Sequence, residues 1–281
     1  MPETLGHYKI LERLGADEAG ELYRARDTRL GRTVAIRVVG DAITHDPERL
    51  HQFLADAHRA AAVSHPNIAA FYEIAEDRGT HYLACEYVTG QKLQSLIAGR
   101  PLNPRRAVDL TIQIADALAE ASAGDLAHGD VRTDTIIVTA KGNAKLLDFG
   151  LAGWTSGGRG PVTGDQTDLV ALGGVLYEML TGTPAAAHGA SGRIDARLPR
   201  ELDAIVRKAL GENPGEQYES AATLAADLRS VLAALDDRTA VRGPSPAWPK
   251  RARRQAAFVW LIVLALLGGI GWLVWMGAAA K

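Results

Sequence analysis

Three short clusters hold most of the residues able to do chemistry. Leu14-Gly15-Ala16-Asp17-Glu18-Ala19-Gly20 carries two glycines five positions apart. Glycine there lets backbone N–H groups approach an anion such as phosphate closely. His128-Gly129-Asp130-Val131-Arg132 puts a carboxylate two residues from a guanidinium, and Asp148-Phe149-Gly150 supplies a second carboxylate. A carboxylate can orient a hydroxyl or ligate Mg²⁺ through oxygen. Other chemistries are excluded. The eight histidines show no His-Glu-x-x-His spacing, and the single cysteine, Cys85, permits neither an intramolecular disulfide nor a multi-cysteine zinc site. Cys85 reads as an apolar filler in a strand.

The elements that must position these clusters are legible from hydrophobic periodicity. Strand-like alternation covers residues 8–14, 21–27 and 33–39. Asp46-Pro47-Glu48 is an N-cap followed by proline at the first helical position, and it opens a helix reaching about residue 63. Strands at 68–75 and 81–87 follow, then a helix at 105–121 and a short strand pair near 136–138 and 145–147. Helices resume at 168–180, 201–210 and 220–235. A β-rich start followed by an α-rich remainder is an α+β plan in two lobes.

Composition bounds the rest. The chain has 281 residues, 47% hydrophobic and 23% charged, which excludes a disordered or collagen-like polymer. The net charge of −2 argues against nucleic acid as a partner. That figure is a sum of opposites: residues 1–237 carry 24 basic groups against 33 acids, a net of −9, and the remaining 44 carry seven basic groups and no acid. Residues 256–277 form an uncharged run of 22, long enough as a helix to cross a bilayer core of ~30 Å. Lys250-Arg251-Ala252-Arg253-Arg254 precedes it, so the positive-inside bias places the preceding residues in the cytoplasm. No apolar signal-peptide core is visible near Met1. The predicted division is a domain at 6–237, a proline-rich basic linker at 238–255, a transmembrane helix at 256–277 and an extracytoplasmic tail at 278–281. Ala265 and Gly269 make a small-xxx-small pair that could bring two such helices into a homodimer.

Taken in order, the motifs resemble the bacterial membrane-anchored Ser/Thr protein kinases. Besides the three clusters, the resemblance rests on Val34-Ala35-Ile36-Arg37, His65-Pro66-Asn67-Ile68, Glu86-Tyr87-Val88-Thr89-Gly90 and Asp168-Leu169-Val170-Ala171-Leu172-Gly173. It implies a bilobal protein kinase-like fold, with a small β-rich lobe at about 6–87 and a larger α-rich lobe at about 91–237. It also implies that Gly15, Gly20, Arg37, Asp56, Glu86 and Val88 frame ATP, with Asp130 and Arg132 catalytic and Asp148 and Thr135 holding Mg²⁺. His128, Phe149 and Asp168 fall where the family uses packing and backbone-anchoring groups.

The departures from the pattern are specific. Asp17 replaces the middle glycine of the phosphate loop, and a carboxylate ~6 Å from a phosphate charge costs roughly 3 kcal/mol at an effective dielectric of 20. The alternative is that Asp17 and Glu18 point to water at the loop tip. Arg37 stands for lysine and Asp56 for glutamate, a longer cation and a shorter acid, which suggests a compensated Arg37–Asp56 ion pair. Thr135 stands for asparagine and Gly129 for arginine. Asp168 lies only 20 positions after Asp148, about half the family's spacing, and Gln217 stands where a large-lobe arginine would meet the missing segment's glutamate. These features predict a catalytically impaired pseudokinase that scaffolds or regulates a signalling protein. The alternatives are a divergent Ser/Thr kinase using ATP and Mg²⁺, and a nucleotide sensor without phosphoryl transfer.

Overall fold

Side chains alternating between core and solvent build an antiparallel sheet from the first third of the chain. Its elements are β1 (Thr4–Leu5), β2 (Tyr8–Asp17), β3 (Gly20–Asp27), β4 (Thr33–Val39), α1 (Asp41–Thr44), α2 (Pro47–Ala61), β5 (Phe71–Asp77) and β6 (Thr80–Glu86). The six strands lie in the order β1-β2-β3-β4-β6-β5. β4 is central and buried along most of its length, whereas β3 alternates. Asp46 caps α2 by accepting from the N–H groups of Glu48 and Arg49, as its position before Pro47 predicts. The computed structural model describes residues 3–155, 165–185, 198–212 and 215–241.

The larger lobe contains β7 (Gly90–Lys92), α3 (Leu93–Ile97), α4 (Pro104–Ser122), β8 (Ile136–Thr139), β9 (Ala144–Leu146), α5 (Ala152–Thr155), α6 (Asp165–Thr181), α7 (Arg200–Leu210) and α8 (Ala221–Val241). β7, β8 and β9 form a second antiparallel sheet. A continuous core joins α4, β8, β9, α6, α7 and α8 through residues such as Leu110, Ile114, Leu146, Leu176, Val206 and Leu228. Two further clusters pack the small lobe, the second with Leu151 and Trp154 of the larger lobe. One lies inside the sheet around Tyr8, Ile36 and Tyr82, and the other lies under α2 around Phe53, Leu83 and Trp154.

The bilobal α+β plan stands, with local corrections. The strand expected at 68–75 begins at Phe71, because Asn67 and Ala69 exchange backbone hydrogen bonds with Leu146 of β9 instead. The sheet starts before residue 6, since Thr4 and Leu5 pair with Lys9 and Tyr8. β7 and α3 have no counterpart in the sequence reading; they are short, and β7 is exposed throughout, so neither leaves a periodic signal. α8 runs through Val241 and so takes in the first residues assigned to the linker. The chain divides into two compact units, Met1–Asp236 and Asp237–Lys281. The expected membrane span, its tail, and the Ala265/Gly269 pair lie outside the described residues, among which no helix is long and apolar enough to cross a membrane.

Asp168 fixes the loop that carries Asp130. Its carboxylate, 3% exposed, accepts the N–H groups of His128 at 2.6 Å and Gly129 at 2.8 Å. Gly129 adopts φ +83°, a conformation that costs glycine little. The His128 ring reaches the Leu147 carbonyl oxygen at 2.8 Å and meets Phe149 edge-on at 5.3 Å, tying this loop to the Asp148 segment. Asp168→Ala strands two inward N–H groups and is expected to cost about 3 kcal/mol in denaturant unfolding. Cys85 lies in β6 between Ala35 and Phe71, packed beside the α2 cluster. Burial, and then the charge of Asp148, push its thiol up to about 12. At pH 8 maleimide should label native chain about a hundredfold more slowly than unfolded chain, because almost no thiolate is present when folded.

Candidate functional site

Between the two sheets lies a cleft of about 570 Å³. Strand register sets how its wall is arranged. On β4, Val34 pairs with Glu86 and Ala35 with Cys85, so this end adjoins the segment that connects the lobes. Arg37 pairs with Leu83, two residues further along the same face. Gly15, Arg37, Glu86 and Val88 all line the cleft, as do Asp130, Arg132, Thr135 and Asp148. Two residues expected there do not: Gly20 and Asp56. Gly20 closes the β2–β3 hairpin at φ +134°, where a Cβ would fall 1.9 Å from the Val38 carbonyl oxygen, so only glycine fits.

Arg37 is 2% exposed and dominates the interior of the cleft. Its Nη1 donates to both oxygens of Asp17, at 2.6 and 2.7 Å, and its Nη2 donates to Asp148 Oδ1 at 2.9 Å. Asp17 Oδ1 also accepts the Ala19 N–H at 3.0 Å, which fastens the carboxylate to its own hairpin turn. Burial alone would lower the Arg37 pKa, but Asp148 and Asp17 outweigh it and the net shift is upward. Asp148 holds its half of the bridge from a left-handed backbone, φ +54°, which is uncommon for a side chain other than glycine, asparagine or aspartate.

The expected Arg37–Asp56 ion pair does not form. Asp56, buried in α2, accepts the Trp154 indole N–H at 2.9 Å and is held by Arg59 one turn on. Trp154 is 2% exposed and stands perpendicular to Phe53 with ring centres 5.5 Å apart. Two physical causes separate the pair: the indole of α5 takes one Asp56 oxygen, and the guanidinium fork spans two nearer acids. Asp17 departs from the second sequence alternative, because it turns inward onto Arg37 rather than lying at the loop tip in water.

The remaining groups are held by short-range bonds. Asp130 accepts from Arg132 Nε at 2.9 Å, and the same nitrogen lies 3.3 Å from Asp134. The Thr135 hydroxyl is shared between the carbonyl oxygens of Asp130 and Arg132 and accepts the Arg132 N–H at 3.0 Å. Glu86 is clamped by Lys145 at 2.6 Å, and Lys145 also reaches the Ile68 carbonyl oxygen, so the connecting segment is braced against β9. Among the described residues no group of three or more His, Cys, Asp or Glu could hold a metal ion. Gln217 accepts from Gln166 at 2.8 Å, a neutral amide pair. Sequence reasoning missed Trp154, Lys145 and the inward role of Asp17. A large indole within Ala152-Gly153-Trp154-Thr155-Ser156-Gly157-Gly158 was the available signal, since nothing else in that run could anchor it.

Comparison with known proteins converges on one family. Residues 8–163 match the protein kinase domain. The serine/threonine-protein kinase PrkC of Bacillus subtilis is 29% identical over 268 residues, covering 81% of this chain and 41% of that protein. PknB of Mycobacterium tuberculosis is 32% identical over 266 residues, covering 80% of this chain and 42% of its own. The chain thus spans about two fifths of the length of these curated relatives. A crystal structure of a double mutant of the Mycobacterium tuberculosis PknI kinase domain superimposes with a TM-score of 0.66 and 25% identity, covering 81% of this chain and 96% of that one.

The Arg37 arrangement is testable by double-mutant cycles read in unfolding. Arg37→Met combined with Asp17→Ala should show a coupling of about 2 kcal/mol, whereas Arg37→Met with Asp56→Asn should lie within about 0.5 kcal/mol of additivity. A larger coupling to Asp56 than to Asp17 would overturn the assignment.

Proposed function

The chain belongs to the protein kinase domain family, and on that premise we propose that it is a membrane-anchored signalling regulator whose cleft is held out of phosphoryl transfer. The observation that carries this is the Arg37 bridge. Transfer requires a cation on the nucleotide phosphates and carboxylates on metal ions, with little covalent work from the protein itself. Here the cation gives both terminal nitrogens to Asp17 and Asp148. Asp148 gives one oxygen to Arg37, and the Thr135 hydroxyl belongs to the backbone of its loop. The residues as arranged do not fit a pair of Mg²⁺ ions. A bridge of this kind is hard to open, because breaking either arm leaves a buried guanidinium short of a partner. Membrane attachment through residues 256–277, with the basic stretch at 250–254 facing the cytoplasm, would hold the domain near a membrane-bound partner protein.

A second reading is favoured by the retained carboxylates. Asp130 and Asp148 both line the same cleft, and the relatives named above are serine/threonine-protein kinases. On that reading the chain is a divergent kinase that transfers the ATP γ-phosphate to protein hydroxyls, with Asp130 orienting the acceptor. A transfer assay with radiolabelled ATP, Mg²⁺ and a generic acceptor protein separates the two. The regulator reading expects incorporation no greater than that of Asp130→Ala, and incorporation about tenfold above that variant would establish the kinase.

A further inference from the structure

Charge is spread unevenly over the domain. The turn from β3 into β4 reads Arg24-Ala25-Arg26-Asp27-Thr28-Arg29-Leu30-Gly31-Arg32, four arginines against one acid in a domain of net −9. That acid is spent inside the turn: Asp27 is buried and accepts the N–H groups of Arg29 and Leu30 at 3.0 Å and Arg32 Nε at 3.3 Å. Lys9 stands opposite Arg26 in the β2–β3 register, on the same face of the sheet. Lys9, Arg26 and Arg29 are exposed and, among the described residues, have no ion-pair partner. The Arg26 guanidinium folds back over the turn, with Nη2 3.8 Å from where a Cβ on Gly31 would fall. Four large apolar side chains are exposed among the described residues, and two of them stand at this edge. Leu30 is 69% exposed at the tip, and Tyr72 of β5, also exposed, carries the Arg32 guanidinium 3.5 Å above its ring centre.

We propose that this turn docks the small lobe on the anionic leaflet of the membrane that anchors the chain, with Leu30 entering the headgroup boundary and Lys9, Arg26 and Arg29 on lipid phosphates. The proposal rests on the membrane-anchored reading of residues 256–277. A stable protein partner needs a broad complementary face. Here one aliphatic tip and one aromatic ring stand among guanidinium groups, which is the composition of an interfacial membrane contact. The rest of the domain is acidic and repelled by the same leaflet, so the charge distribution turns this edge towards it. Each basic side chain near an anionic surface strengthens attachment about fivefold. Such a contact is weak for a free domain, but the anchor supplies the local concentration. Only 14 residues lie between Val241, where α8 ends, and position 256, where the expected span begins. Even fully extended they reach roughly 50 Å, so the domain stays beside the surface it would touch.

The test places the 281-residue chain in vesicles of phosphatidylcholine alone or of equimolar phosphatidylcholine and phosphatidylglycerol, each with a trace of nitroxide headgroup lipid. A fluorophore is attached at Thr28→Cys in the turn or, as the control in the large lobe, at Lys141→Cys between β8 and β9. In the mixed vesicles position 28 should be quenched at least about threefold more than position 141, and the difference should vanish in phosphatidylcholine or at high salt. Arg26→Glu with Arg29→Glu should weaken docking about a hundredfold and bring position 28 to its level in phosphatidylcholine. If that double variant fails to fold, the change of lipid, which alters no residue of the charged patch, carries the same information. Equal quenching at the two positions, or quenching at 28 that ignores lipid charge, would overturn the proposal. So would energy transfer between chains labelled at 28 that is the same in both lipids, which would make the patch an interface between copies of this chain. Retention through an alkaline carbonate wash is read in parallel. Chain that washes off removes the anchored reading and the proposal together, whereas chain that stays with position 28 unquenched removes the proposal alone.

Discussion

A guanidinium taken out of water must be met by acids, and Arg37 at 2% exposure is met by two. Much of the small lobe follows from that requirement. Asp17 must turn inward, so the β2–β3 hairpin closes over the cleft in a two-residue turn and needs glycine at position 20, where the Val38 carbonyl leaves no room for a Cβ. Asp148 must present its carboxylate from a left-handed backbone. Asp56 is then left without the cation of β4, and its burial in α2 is compensated from elsewhere, by the Trp154 indole and by Arg59. The helix is docked through an aromatic contact with α5 in place of an ion pair with the sheet.

The large lobe obeys a different rule. Asp168 receives the N–H groups of the catalytic-type loop, His128 ties that loop to Leu147, and Phe149 packs against His128. None of these bonds depends on which charges line the cleft. The scaffold that positions Asp130 and Asp148 is therefore separable from the electrostatics that decide what they can do. This is why a fold shared with active kinases and a rearranged ionic centre coexist in one chain: the first is held by backbone satisfaction and apolar packing, the second by three side chains.

The same division explains what the sequence could reveal. Strand alternation, the Asp46-Pro47 cap and the order of the motifs give the two-lobed plan and its longer elements, because periodicity and capping are local properties. The strand expected at 68–75 starts three residues too early and stops two short, since the pairing of residues 67–69 with β9 is a long-range choice that alternation does not encode. Eight of the ten candidate site residues do meet in one cleft, because a motif's place in the fold travels with the fold. The pairing of Arg37 was misread for a physical reason. Charge and reach alone make Asp56 as good a partner as Asp17; the competition between them is settled by an indole contributed from a segment nearly a hundred residues later.

That competition also explains why the three unusual residues make sense only together. Lysine at position 37 would be a single point charge, unable to span two carboxylates in a fixed plane. Asp17 facing Asp148 across such a point would leave like charges partly uncompensated, and a glycine at 17 would leave an arginine fork with one prong unpaired in a buried site. Glutamate at 56 would reach further towards β4 than aspartate does, competing for the guanidinium and drawing the acid away from the Trp154 indole. Aspartate at 17, arginine at 37 and aspartate at 56 each remove a cost that one of the others imposes. The ionic centre is held by that mutual fit rather than by any single residue, so restoring one position to the kinase pattern would leave the other two without their partners.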